Sequence, residues 1–155
     1  MPVSVGKKVP AFSLPATGDQ TLALKDFKGR MLVLYFYPRD STPGCTTEGQ
    51  DFRDLYKQFQ KAGCDVLGVS QDSIKKHENF KAKQAFPFEL LSDEDGSLCD
   101  AFDVLKLKKM YGKEFMGIER STFLIDGQGK LLQAWRKVKV PGHVQEVLEA
   151  VKAAS

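Results

Sequence analysis

Tyr35-Phe36-Tyr37-Pro38-Arg39-Asp40-Ser41-Thr42-Pro43-Gly44-Cys45-Thr46-Thr47-Glu48 is the stretch around which the chain reads. It closes an apolar run that begins at Met31, short and aromatic or aliphatic, the mark of a buried strand rather than a helix. Pro38 stops the run. Thr42-Pro43 then reads as a helix start. Threonine caps, and proline suits the first helical position because its missing N–H would be unpaired there anyway. With Thr42 as the cap, Cys45 falls at the third helical position. Orphan N–H groups and the positive end of the helix dipole converge there, which favours a thiolate. Gly44 removes a side chain that would crowd the sulfur. Without that setting, a lone cysteine reads as a small buried hydrophobe.

A nucleophilic thiol also needs a group to hold the electrophile and a charge to receive the leaving group. The Thr42 hydroxyl can aim at the sulfur or at a bound oxygen. Pro38 and Pro43 can shield the site from water. Arg39, Arg53, Arg120 and Arg136 are the candidate cations. Arg120 stands out because it directly precedes the apolar strand Ser121-Thr122-Phe123-Leu124. A surface ion pair is the plainer alternative for it.

The 155 residues suit one domain over residues 1–155, with 42% apolar and 28% charged residues as in ordinary globular proteins. The net charge of +3 is too mild to argue for nucleic acid. No run is long enough to span a membrane. Met1 to Lys8 lacks the apolar core of a signal peptide, so the cytoplasm is the expected compartment. Cys45, Cys64 and Cys99 are odd in number and widely spaced, unlike a secreted disulfide framework or a CxxC motif.

Along the chain, short strands are predicted at Pro10 to Leu14 and Thr21 to Leu24, then the strand Met31 to Tyr37. A helix follows from Pro43 to about Lys61, with Phe52, Leu55, Tyr56 and Phe59 on one face. Asp65 to Ser70 is the next strand. Ser73 caps a helix to about Ala85, on which His77 reads as solvated. Phe88 to Leu91 is a short strand. Asp93-Glu94-Asp95-Gly96 lacks calcium-loop spacing and reads as a solvated turn. Ser97 to Phe102 is a short helix. Residues 103 to 118 read as an irregular basic loop. Ser121 to Ile125 and Lys130 to Trp135 form a hairpin. The last helix starts near Pro141 or Gly142, with Val144, Val147, Leu148 and Val151 as its stripe. Strands alternating with helices, closed by a hairpin, predict an α/β fold with a mixed central sheet flanked by helices.

The Tyr35 to Glu48 stretch resembles the peroxidatic-cysteine motif of peroxiredoxins, closest to the bacterioferritin comigratory protein (peroxiredoxin Q) subfamily. Gly6 to Pro15, Leu67 to Ser70, Phe86 to Asp93 and Arg120 to Asp126 fit the same pattern, so the resemblance covers almost the whole chain. It implies a thioredoxin-like, three-layer fold and an antioxidant thiol peroxidase. Cys45 would attack a hydroperoxide and become a sulfenic acid. Thr42 and the Cys45 N–H would hold the peroxide oxygens, with Pro43 and Gly44 beside them. Arg120 would polarise the peroxide, and Pro38 would wall the pocket. The resemblance implies no metal or organic cofactor, a monomer, and electrons from thioredoxin or from glutaredoxin and glutathione.

Two departures matter. Family members carry a resolving cysteine five residues after the peroxidatic one, or on the next helix. Here those positions are Gln50 and Lys81. Cys64 lies beyond a helix that spans roughly 25 Å, while a disulfide needs Cα atoms within about 7 Å. Cys99 is a weak resolving candidate. The expectation is a one-cysteine mechanism with an external thiol. Two rivals share the fold: a thioredoxin-like disulfide reductase, which wants a second cysteine beside Cys45, and a non-enzymatic binding module.

Overall fold

The computed structural model describes residues 3–155; Met1 and Pro2, the start of the segment read for a leader, lie outside them. In chain order the strands are β1 (Ser13–Ala16), β2 (Gln20–Ala23), β3 (Met31–Phe36), β4 (Cys64–Ser70), β5 (Glu89–Ser92), β6 (Leu105–Met110), β7 (Lys113–Ile118), β8 (Ser121–Ile125) and β9 (Leu131–Trp135). The helices are α1 (Pro43–Lys61), α2 (Ile74–Gln84), α3 (Ser97–Ala101) and α4 (His143–Ala154). Seven strands form one sheet, ordered β2-β1-β5-β4-β3-β8-β9. β3, β4 and β5 run parallel, while β8 and β9 on one side and β1 and β2 on the other add antiparallel pairs.

β3 lies inside that sheet because both of its faces are apolar. Leu32, Leu34 and Phe36 enter one core cluster; Val33 and Tyr35 enter the other. A strand covered on both sides has no polar alternation, which is why 31–36 reads as an unbroken apolar run. The second cluster takes Phe52 and Phe59 from α1, Phe80 from α2 and the predicted valine–leucine stripe of α4. Each such fully buried side chain contributes roughly 1.5–3 kcal/mol relative to exposure. The opposite face is covered by α3, through Leu98 and Cys99, and by Val9 and Phe12.

The early strands are displaced by a few residues from their predicted places, to β1 and β2. Three larger readings change. Residues 105–118 are not an irregular loop but the hairpin β6–β7, a separate two-stranded sheet. Its turn residues Tyr111 and Gly112 both have positive φ, 53° and 76°, as a tight two-residue hairpin loop requires. Asp93 is not solvated: it is buried and accepts from the Leu98 and Cys99 N–H groups at the start of α3. His77 is likewise buried, against Asp40 and the Leu91 carbonyl.

Candidate active site

β3 delivers the chain to Pro38, and α1 starts at Pro43, so the link 38–42 aims Cys45 at the sheet's end. Thr42 has the extended backbone of an N-cap, φ −85° and ψ 155°, yet its side chain makes no capping bond. Its hydroxyl donates instead to the Arg39 carbonyl at 2.9 Å, so it braces the link. Helical pairing begins where the Thr46 N–H meets the Thr42 carbonyl at 2.9 Å. Pro43 has no N–H, and the Gly44 and Cys45 amides are left as orphan donors of the first turn.

Cys45 is 2% exposed. Its sulfur accepts a 3.3 Å hydrogen bond from Arg120 Nη2. The other terminal nitrogen, Nη1, donates to Glu48 Oε1 at 2.6 Å. Burial works against the Arg120 charge, but Glu48 and the Cys45 sulfur outweigh it and raise its pKa. Burial pushes the Glu48 carboxyl up to about 7 even with Arg120 opposing the shift. Its second oxygen, Oε2, is buried with no hydrogen-bond partner among the described residues. Arg120 is therefore not the surface ion pair that its sequence setting left open. A Cβ at Gly44 would stand 3.1 Å from Arg120 Nη2, so the missing side chain makes room for the guanidinium rather than for the sulfur.

The other cations lie elsewhere. Arg53 donates to the Gln84 carbonyl, and Arg136 to the Phe102 and Asp103 carbonyls. Arg39 is exposed on the rim of a groove of about 600 Å³. That groove runs from Pro38 and Thr42 to Met110, Phe115, Met116 and Ile118 of the β6–β7 hairpin. Neither Glu48 nor the hairpin was given a role from sequence. A carboxylate three residues after Cys45 on one helix face was the available signal for Glu48.

All three cysteines are free and buried. Cys64 opens β4 opposite Met31, at the far end of β3 from the link 38–42. The helical stretch from Cys45 to Lys61 alone covers about 24 Å. Cys99 packs in the cluster on the other face of the sheet from Cys45. Gln50 donates to Gln84, and Lys81 pairs with Glu89, so the two usual resolving positions carry contacts between elements.

The AhpC/TSA family model matches residues 5–134. The chain is 59% identical over 145 residues to Peroxiredoxin Bcp of Xanthomonas campestris, covering 92% of this chain and 90% of that one. It is 52% identical over 155 residues to Peroxiredoxin Bcp of Bacillus subtilis, covering 100% and 99%. The solved bacterioferritin comigratory protein of X. campestris, described for its alkyl peroxide reduction activity, superposes with a TM-score of 0.91 at 54% identity, covering 97% and 99%. A PrxQ mutant of Xylella fastidiosa gives 0.94 at 47% identity, covering 99% and 98%. With a family model over most of its length and full-length relatives above half identity, the chain belongs to the AhpC/TSA family, as a peroxiredoxin of the Bcp, or PrxQ, kind.

Proposed function

We propose that Cys45 is the peroxidatic residue of this thiol peroxidase and that hydrogen peroxide and organic hydroperoxides are its substrates. The observation that carries the assignment is the Arg120 guanidinium 3.3 Å from a sulfur seated in the first turn of α1. The Cys45 thiolate attacks the terminal peroxide oxygen and the O–O bond breaks; the terminal hydroxyl stays on sulfur, and the departing alkoxide or hydroxide takes a proton from solvent water and leaves as the alcohol or water. Arg120 stabilises the thiolate and the charge that develops on the departing oxygen. The Thr42 hydroxyl has committed its proton to Arg39, so its oxygen is an acceptor for the peroxide O–H. The Cys45 N–H donates to the peroxide, with Pro43 and Gly44 shaping the turn and Pro38 walling the groove. The apolar lining at Phe115, Met116 and Ile118 supports organic hydroperoxides beside hydrogen peroxide.

The product is a Cys45 sulfenic acid. Gln50 and Lys81 at the usual resolving positions, with Cys64 and Cys99 remote, support a one-cysteine cycle. An external thiolate attacks the sulfenic sulfur and releases water, and a second thiol frees Cys45 from the mixed disulfide. Thioredoxin, or glutaredoxin with glutathione, supplies both thiols. The same remoteness disfavours a disulfide reductase. We read the whole chain, residues 1–155, as one domain working as a monomer, as its likeness to the Bcp, or PrxQ, peroxiredoxins suggests. No described helix is long and apolar enough to cross a membrane, and three free thiols fit a reducing cytoplasm. No step needs a metal or organic cofactor. Antioxidant defence is the role that follows.

Stopped-flow reaction with hydrogen peroxide and tert-butyl hydroperoxide tests the assignment. Cys45→Ser loses the reaction, and Cys64→Ser and Cys99→Ser keep it. Mass spectrometry of the oxidised protein finds sulfenic acid on Cys45; an intramolecular disulfide there would overturn the one-cysteine cycle.

A further inference from the structure

A buried polar cluster that takes no part in the chemistry above holds the link 38–42. Asp40 is 7% and His77 0% exposed. His77 Nδ1 lies 2.6 Å from Asp40 Oδ2, and Nε2 lies 2.9 Å from the Leu91 carbonyl. A carbonyl cannot donate, so Nε2 carries a proton. The Nδ1–Asp40 contact then holds one proton more, on nitrogen or on oxygen, and the pair is neutral overall in either form. Asp40 Oδ1 accepts from the Tyr37 hydroxyl at 2.6 Å. The Asp40 amide donates to Asp72 Oδ2 at 2.9 Å, which also accepts from Ser70 at 2.6 Å. Asp40, Asp72 and His77 are metal-ligating types within 4.8 Å of one another, but these contacts already occupy their facing atoms.

The cluster secures backbone that would not hold itself. Ser41 has φ +64°, a left-handed conformation uncommon for a residue with a β-carbon. Such residues persist where their surroundings over-determine them, and they gather at functional sites. Thr42 follows directly. α2 in turn is tied down: Ser73 caps it, and Gln50 and Arg53 of α1 both bond Gln84. His77 thus reaches the link from a fixed element.

We propose that the Asp40–His77 contact is a latch on the catalytic link, which makes His77 a positioning residue for peroxide reduction. The inference rests on Cys45 being the peroxidatic residue. Opening the latch lets residues 40–42 leave the left-handed turn, carrying the Thr42 oxygen and Pro38 away from the sulfur. Arg120 and Glu48 sit outside the link, directly before β8 and on α1, and stay in place. The cradle for the peroxide fails while the thiolate survives.

The test compares His77→Ala, Asp40→Ala and Asp40→Asn. In the last, the new amide donates to a neutral Nδ1 and its oxygen accepts from Tyr37, so each bond is restored without a charge. The second-order rate with hydrogen peroxide falls about 10–100-fold in both alanine variants and stays within about 3-fold in Asp40→Asn. Alkylation of Cys45 by iodoacetamide needs the thiolate but no cradle, and changes less than about 3-fold in all three. Cys45→Ser is the separate control: peroxide turnover surviving in it would sink the peroxidatic assignment and leave the latch without an object. Wild-type peroxide rates in a folded His77→Ala protein overturn the latch, as does an equal loss in both assays. Where alanine does not fold, His77→Gln, which keeps only part of the ring's contacts, is read by the same two rates and the same criteria.

Discussion

Glu48 lies wholly buried against one terminal nitrogen of Arg120, and the other terminal nitrogen of that guanidinium reaches Cys45. One guanidinium serves a carboxyl and a sulfur. Arg120→Ala therefore does two kinds of damage. The peroxide rate falls about 10²–10³-fold, the usual loss for one preorganised donor. Glu48 then takes up a proton and is left buried without its partner, which costs about 1–3 kcal/mol of stability. The double variant Arg120→Ala/Glu48→Gln regains stability without regaining rate, as paired denaturation and stopped-flow measurements will record.

The stability of the protein against pH carries two opposing signatures. Glu48 is raised from 4.5 to about 7. Its contribution is complete below 4.5 and is lost as pH rises through 7. His143, buried with Nε2 2.8 Å from the Thr122 hydroxyl, is lowered by burial from 6.5 to about 4. Its contribution is complete above 6.5 and is lost as pH falls through 4. Between 4.5 and 6.5 the two slopes cancel. Glu48→Gln unmasks a rise of about 3 kcal/mol from pH 4 to 6.5, and His143→Gln a fall of about 3 kcal/mol from pH 4.5 to 7, by urea titration.

On the proposed assignment, Cys45 alone reacts in the native fold. Burial and the neighbouring Asp65 push the Cys64 thiol up to about 12. Burial and then Asp93 raise Cys99 as well. Iodoacetamide at neutral pH, followed by peptide mass spectrometry, labels Cys45 alone; urea exposes the other two.

Gly49 is fixed by contact. A Cβ there would collide with Phe86 Cζ, and Phe86 is itself held edge-to-face by Phe80 and stacked on Phe88. Gly49→Ala overpacks the junction of α1 and α2 and costs about 1–3 kcal/mol. Phe86→Leu in the same chain returns part of that loss, as a double-mutant denaturation cycle measures.

On the proposed function, the β6–β7 hairpin sorts substrates by size. Met116 is 58% exposed on the groove wall, so Met116→Asp leaves folding intact. It lowers kcat/KM for cumene hydroperoxide about 5–10-fold while hydrogen peroxide changes little, because only the larger substrate buries apolar surface there.

What the sequence made legible follows from how each signal is written. β3 and α1 were readable because a two-faced strand must be apolar throughout and a helix start has its own chemistry at Thr42-Pro43. Arg120 could be suspected from its place before Ser121, but its pairing with Glu48 spans chain-distant elements and has no local mark. His77 was misread because Lys75, Lys76 and Glu78 surround it. The better signal was the spacing Ile74, His77, Phe80, which sets it on the buried line of α2. The β6–β7 hairpin hid behind its lysines, although Leu105 and Leu107 alternate and Gly112 marks the turn.

The sheet that separates Cys45 from Cys99 has a consequence for timing. With no partner sulfur on its own side within reach, an oxidised Cys45 on the one-cysteine reading has to wait for a collision. The dwell time of the sulfenic state then scales inversely with the concentration of reduced carrier. The same wall that keeps Cys45 from Cys99 would leave the protein parked in its oxidised form whenever the surrounding thiol supply runs down.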